Sequence, residues 1–213
     1  MRVKTEARRL AYIQAASKLF LEHGYADVSM EKIAAAAGGS KVTLYGYFAS
    51  KEELFEAFVV EIGRGKAQGL QDTAINVADP VGTLRSLGLS YLRLVTEPQI
   101  VTLDRLIISE SRRFPQLTKI FYDHGPRRVI GILAQALAKI IDGQLTQEQA
   151  WLRALQFKAL CEATILERQL WCLDPQPTAK TLKTAVEGAV TVFLDGVTPR
   201  LKLAPALNTV RKS

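Results

Sequence analysis

The sequence predicts an all-α chain, and three observations carry that reading. Apolar residues recur at three- and four-residue intervals along most of its length, small polar residues precede those runs, and glycine or proline ends them. Strand-like alternation and Asn-Gly hairpin signals do not interrupt the pattern. At 213 residues and 48% hydrophobic content, the chain is long enough for one large or two small packed domains.

A first helix is expected over Lys4 to His23, with Leu10, Ile13, Ala16, Leu19 and Phe20 on one side and Gly24 as its stop. Two short helices follow around the turn Gly38-Gly39, one from Ser29 to Ala37 and one from Ser40 to Phe48. Ile33, Ala34 and Ala37 face inward on the former, where small alanines admit a close neighbour. On the latter Leu44 and Phe48 lie four apart and face the core, which turns Lys41, Val42, Thr43, Tyr45 and Tyr47 outward or sideways. Two small helices on a glycine turn form the unit that lays its second helix in a DNA major groove. Ser50 is placed as N-cap of the next helix, with Glu52 and Glu53 in its first turn. That helix is expected to run from Lys51 toward Thr73, and Gly63, Gly65 and Gly69 mark a bend where a head hinges on a larger body.

Asp79 as N-cap and Pro80 at the first helical position open a helix to about Thr96. Gln99 to Ser111 continues with Ile100, Leu103, Leu106 and Ile107 inward. Short helices from Pro115 to Tyr122 and from Pro126 to about Ile141 come next. Thr146 to Cys172 reads as the longest helix, with Thr146 and Gln149 spaced as a capping box. After the break Asp174-Pro175-Gln176-Pro177, Thr178 to Gly196 is the last helix.

Composition narrows the function. The net charge of +7 suits a nucleic-acid partner, but residues 199 to 213 hold four basic residues and no acid, so over half the excess sits in a tail expected to be disordered. The absence of any apolar run of membrane length or signal-peptide pattern makes a soluble, cytoplasmic protein without a membrane partner the expectation. Cys161 and Cys172, taken to share one helix, would stand about 16 Å apart, beyond disulfide reach. No metal-ligand spacing, phosphate loop, nucleophile motif or acid–base pair can be named, so no catalytic residue, metal or cofactor is expected and the chain is not read as an enzyme.

The stretch from His23 to Leu54 resembles the DNA-binding head of the TetR family of bacterial transcriptional regulators. The residues that carry the likeness are His23-Gly24-Tyr25, Val28-Ser29, Ala37-Gly38, Ser40-Lys41-Val42-Thr43-Leu44-Tyr45-Gly46-Tyr47-Phe48 and Ser50-Lys51-Glu52-Glu53-Leu54. Two positions depart from the family's pattern. Gly39 stands where an apolar residue is usual, and Gly46 where a polar side chain is usual between the two aromatics. Each glycine weakens the recognition helix, which is expected to be marginal alone and to tighten on DNA. A second likeness, in Glu110-Ser111-Arg112-Arg113-Phe114-Pro115-Gln116-Leu117, Phe121-Tyr122 and Gly125-Pro126, is to the effector domain of the AefR-like branch. It implies a helical body with a small-molecule pocket and dimerisation through the last two long helices.

The resulting expectation is a helix-turn-helix head over residues 1–53, an effector and dimerisation domain over 54–198, and the tail over 199–213. Side-chain chemistry assigns Ser29, Ser40, Lys41, Val42, Thr43, Tyr45, Tyr47 and Lys51 to double-stranded DNA. Gly46 removes one reader, which leaves sequence reading to Lys41, Val42 and Tyr45; the Tyr47 ring has packing of the head as its alternative role. Candidate effector residues are Leu103, Arg105, Ile107, Glu110, Phe114, Phe121, Trp151 and Phe157, around an unidentified small molecule. Candidate dimer residues are Leu152, Leu155, Ile165, Leu166, Leu182, Val186, Val190 and Phe193. The function these imply is a ligand-responsive, homodimeric repressor on a palindromic operator. The alternative is a small-molecule-binding dimer whose DNA binding has weakened.

Overall fold

Short side chains at the helix starts set the architecture. In the computed structural model, which describes residues 5–141 and 145–197, the described residues are helical and contain no strand. The helices are α1 (Glu6–His23), α2 (Met30–Ala36), α3 (Lys41–Tyr45), α4 (Lys51–Gly63), α5 (Gln68–Gln71), α6 (Pro80–Val95), α7 (Pro98–Glu110), α8 (Pro115–His124), α9 (Pro126–Ile140), α10 (Gln147–Glu162), α11 (Leu166–Leu170) and α12 (Ala179–Val197). Ser50 caps α4 by accepting from Glu53 N at 3.1 Å, and Asp79 caps α6 by accepting from Gly82 N at 2.9 Å. Thr146 and Gln149 close a reciprocal box at the start of α10, at 3.2 and 2.9 Å.

The chain divides into two compact units. The first runs up to Arg64 and includes Thr102–Pro126; the second comprises Gly65–Val101 and the residues from Arg127 on. A division after residue 53 would cut α4, whose Phe55 and Phe58 are buried against Phe20 of α1 at ring-centroid distances of 5.6 and 5.8 Å. The first unit therefore takes in all of α4. It also takes in α8, where His124 Nε2 lies 2.7 Å from Glu56 Oε1 of α4. In the second unit α6, α9, α10 and α12 enclose a mostly aliphatic core of which Leu87, Leu133, Leu137, Phe157, Val186 and Val190 are buried members.

Three expected helices are shorter than their periodicity suggested. The helix from Lys51 stops at Gly63 instead of bending through to Thr73, because Gly65 takes φ +76°, a left-handed conformation that ends a helix. The recognition helix is Lys41–Tyr45, not 40–48; Gly46, the poorest ordinary helix former, sits at its C-cap, although Phe48 N still donates to Leu44 O at 3.0 Å. The stretch 146–172 is two helices, not one. It turns at 163–165, and that turn carries Ile165 into the core at 5% exposure. Cys161 is buried on α10 and Cys172 is exposed beyond α11, so they do not share a helix. Residues 199–213 lie outside the described residues.

Candidate nucleic-acid interface

Leu44 and Phe48, at 0% and 1% exposure, dock α3 against the first unit, with Ile33 and Ala34 of α2 equally buried. The turn between α2 and α3 is fixed by backbone bonds from Gly38 N to Ala35 O at 2.9 Å and from Gly39 N to Ala34 O at 2.8 Å. Gly38 adopts φ +64°. Gly39 does more than lack a side chain: a Cβ there would overlap the Tyr12 hydroxyl and the Arg8 guanidinium. Arg8 donates from Nη2 to Gly38 O at 2.8 Å and lies 4.9 Å over the Tyr12 ring. Two α1 side chains thus fill the place of the missing one. Sequence reasoning did not single them out; their spacing of four residues on α1 was the available signal.

Docking of Leu44 leaves the opposite face of α3 open. Val42 is 83% exposed and Tyr45 45% exposed. An exposed β-branched side chain contributes nothing to a core, but its methyls can contact a thymine methyl. Ser40 caps α3 by accepting from Thr43 N at 3.1 Å, and the two hydroxyls lie 2.8 Å apart. One hydroxyl hydrogen joins the pair, and the other is left for a phosphate at the helix N-terminus. Ser29 likewise caps α2 by accepting from Lys32 N at 3.2 Å, and its side chain also hydrogen-bonds the Glu31 carboxylate. Lys41 pairs with Glu31 of α2, a contact its sequence position did not announce. The hydrogen bond from Lys41 holds the Glu31 carboxyl down at about 2 and raises the Lys41 ammonium. Both groups are exposed, so this pair is screened and exchangeable for a phosphate.

Tyr47 and Lys51 point sideways. The Tyr47 hydroxyl accepts from Thr5 N at 3.0 Å, and its half-buried ring tilts against Tyr12 at 5.6 Å, the packing role weighed for it. Lys51 Nζ lies 4.0 Å over the Tyr25 ring, and partial burial lowers its ionisation range. Tyr25 in turn is boxed by Phe20, Phe55 and Phe114.

The effector and dimer candidates fall differently from expectation. Glu110 is engaged at the turn after α1: its Oε1 accepts from Tyr25 N and Ala26 N, both at 3.0 Å. Phe114 follows it onto Tyr25, with ring centroids 5.0 Å apart. Leu103 and Ile107 are buried in the same unit, where Arg105 and Phe121 are half-buried. Trp151, half-buried, and Phe157, at 0% exposure, belong to the second unit. The eight are thus not brought together within either unit. Of the dimer candidates, Ile165, Leu182, Val186, Val190 and Phe193 are buried in the chain's own core at 2–6% exposure, and of these five Phe193 also lines an open groove. Leu166 is half-buried. Leu152 and Leu155, at 52% and 38% exposure, are open on α10, as is Val192 on α12 at 56%. An open groove of about 450 Å³ beside them is lined by Arg153, Gln156, Ala159, Leu160, Val192, Phe193 and Gly196.

Comparison with known proteins places the fold in a family. Residues 13–58 match the family of bacterial regulatory proteins of the tetR type, and residues 82–196 match the C-terminal domain of AefR-like transcriptional repressors. A helix-turn-helix transcriptional regulator of Mycobacterium tuberculosis (strain ATCC 25618 / H37Rv) is 33% identical over 94 residues, covering 44% of this chain and 46% of the relative. The transcriptional activator FasR of Mycolicibacterium smegmatis (strain ATCC 700084 / mc(2)155) is 38% identical over 79 residues, covering 35% and 36%. The chain thus spans about half or less of the length of the curated relatives it matches. Among solved structures, the flavonoid-responsive regulator FrrA superposes with a TM-score of 0.75 at 31% identity, covering 90% of this chain and 97% of that one. A TetR-type regulator from Mesorhizobium loti MAFF303099 shares the fold with a TM-score of 0.77 at 24% identity, covering 92% and 98%.

Proposed function

This chain belongs to the TetR family of bacterial regulatory proteins, and from that premise we propose that it is a ligand-responsive repressor that binds a palindromic operator as a homodimer. Its family and relatives are transcriptional regulators rather than enzymes. The observation that carries the DNA reading is the outer face of α3. Val42 and Tyr45 stand exposed on a helix anchored by Leu44 and Phe48, with the Ser40 and Thr43 hydroxyls at its N-terminus. On DNA, Val42 and Tyr45 meet base edges while Ser29, Ser40, Thr43 and Lys51 hold phosphates. Lys41 exchanges Glu31 for a phosphate or a guanine, and Tyr47 contributes by holding the start of α1.

A head this small binds one site tightly and specifically only when paired, which is why two copies and two half-sites are proposed. The pairing face is the open side of α10 and α12 around Leu152, Leu155 and Val192, supported by the apolar groove there. The effector part of the reading is supported by the name of FrrA, a flavonoid-responsive relative, and makes a flavonoid the first compound to try. A ligand releases DNA only to the extent that it prefers the form with wrongly spaced heads.

Selection of bound sequences from random DNA at about 0.15 M salt tests the reading, since specific contacts persist there while residual charge attraction fades. An enriched palindrome with half-sites about one helical turn apart is expected. A folded dimer that enriches nothing would overturn the operator reading. Transcription from a promoter carrying the selected site should fall when the protein binds; a rise would make it an activator.

A further inference from the structure

The turn that joins α1 to α2 is held by residues far along the chain. Glu110, the last residue of α7, is 85 positions from Tyr25, and its Oε1 accepts hydrogen bonds from both Tyr25 N and Ala26 N at 3.0 Å. Gly24, at φ +80°, makes room for that carboxylate: a Cβ there would come within 3.3 Å of the same oxygen. Two consecutive amides aimed at one carboxylate oxygen form a charge-assisted anion site. Removing the carboxylate would leave two part-buried donors without it. Phe114 is locked in register with Glu110, since Phe114 N donates to Glu110 O at 2.8 Å. Its ring meets that of Tyr25 at 5.0 Å with an interplanar angle of 69°. The other neighbours of the Tyr25 ring are Phe20 and Phe55, each at 5.4 Å, and the Lys51 ammonium at 4.0 Å.

We propose that Glu110 and Phe114 are positioning residues for DNA binding: together they fix the Gly24–Ala26 turn and the Tyr25 ring, and through that ring they aim Lys51 at a DNA phosphate. The proposal rests on the operator reading above. Lys51 is the first residue of α4, close behind α3, and a lysine there reaches a backbone phosphate only along a restricted set of directions. The Tyr25 face selects among them. Glu110 is negative, so its service to binding is geometric and not a matter of attracting DNA.

The test uses the full chain, the operator obtained by selection, and the variants Glu110→Ala, Glu110→Gln and Phe114→Leu. In the DNA-free protein, Glu110→Ala should speed amide exchange at Tyr25 and Ala26 by tenfold or more, which corresponds to a loss of about 1.4 kcal/mol or more in local opening free energy. Operator affinity should fall about tenfold, and the slope of log affinity against log salt should shrink by about one per head as the Lys51 phosphate contact is lost. Glu110→Gln keeps an acceptor oxygen and should restore most of both readouts. Phe114→Leu keeps the apolar bulk and guards against loss of fold; it should weaken binding by a few fold. Unchanged exchange at Tyr25 and Ala26 in Glu110→Ala would overturn the contact. Faster exchange with wild-type affinity and salt slope would reduce Glu110 to a structural residue and overturn the positioning role. A wild-type chain that selects no DNA would sink the operator reading, and that failure is seen before any variant is compared.

Discussion

In the first unit Phe20, Tyr25, Phe55 and Phe58 form a cluster of rings with centroids 5.3 to 5.8 Å apart, whereas the second unit packs mostly aliphatic side chains along α6, α9, α10 and α12 around one ring pair, Phe157 and Phe193, at 5.2 Å. A few large rings secure a core from short helices, and the remaining side chains of those helices stay free to face outward. That is how a five-residue α3 can expose Val42 and Tyr45 while burying little more than Leu44. Long helices close a core by lining up small contributions, and α12 spends Leu182, Val186, Ala189, Val190 and Phe193 this way while Val192 stays exposed. The contrast teaches that an apolar face visible in a sequence is an outward surface only where something else has already filled the core.

The largest effect that would break this comparison comes from placing one charge on each side of it. Val186→Asp, in the second core, should cost about 3–5 kcal/mol through an unpaired buried charge and unfold the unit in a thermal melt. Leu152→Asp, the same chemistry at 52% exposure, should lower the melt far less and shift sedimentation from dimer toward monomer. If Leu152→Asp stays dimeric, the pairing face lies elsewhere.

Next in size is Gly39→Val, which installs the side-chain type usual at that position in the family. Because the Tyr12 hydroxyl and the Arg8 guanidinium occupy the space, the substitution should destabilise the first unit by about 1–3 kcal/mol and weaken operator binding. A stabilised protein in urea titration would show that Arg8 and Tyr12 give way freely.

Loss of a cap sharpens the same contrast. Ser40→Ala on α3 and Thr146→Ala on α10 should each cost about 1 kcal/mol. Operator affinity should drop only for Ser40→Ala, since α3 has five residues and α10 sixteen over which to absorb fraying. Equal losses of affinity would mean that the cap acts through global stability alone.

The smallest effect concerns Glu31. Its folded-state carboxyl titrates near 2, below the ordinary 4.5, so any stabilisation is present above the unfolded value and is lost as pH falls through about 2. A carboxyl-carbon titration by NMR should place the midpoint there, and a midpoint near 4.5 would mean the Lys41 pair is not formed in solution. Glu31→Gln should raise DNA affinity a few fold at low salt, and the gain should shrink as salt screens the exposed pair.

Much of the fold was legible because its signals are local. The starts of α2, α3, α4, α6 and α10 lie at Ser29, Ser40, Ser50, Asp79 and Thr146, where one side chain satisfies an amide three residues on and no distant partner is needed. The ordered motif around Tyr25 to Phe48 likewise specified the head and the exposed face of α3. What remained hidden depended on partners remote in sequence. Glu110 was legible as part of a motif, but its hydrogen bonds to Tyr25 and Ala26 exist only because α7 returns to the first turn of the chain. Gly39 looked like a missing side chain until Arg8 and Tyr12 were found in its place. The burial of Val186, Val190 and Phe193 was decided by the packing of α6 and α10 against α12, since periodicity shows that a face is apolar and only the assembled neighbours decide what covers it.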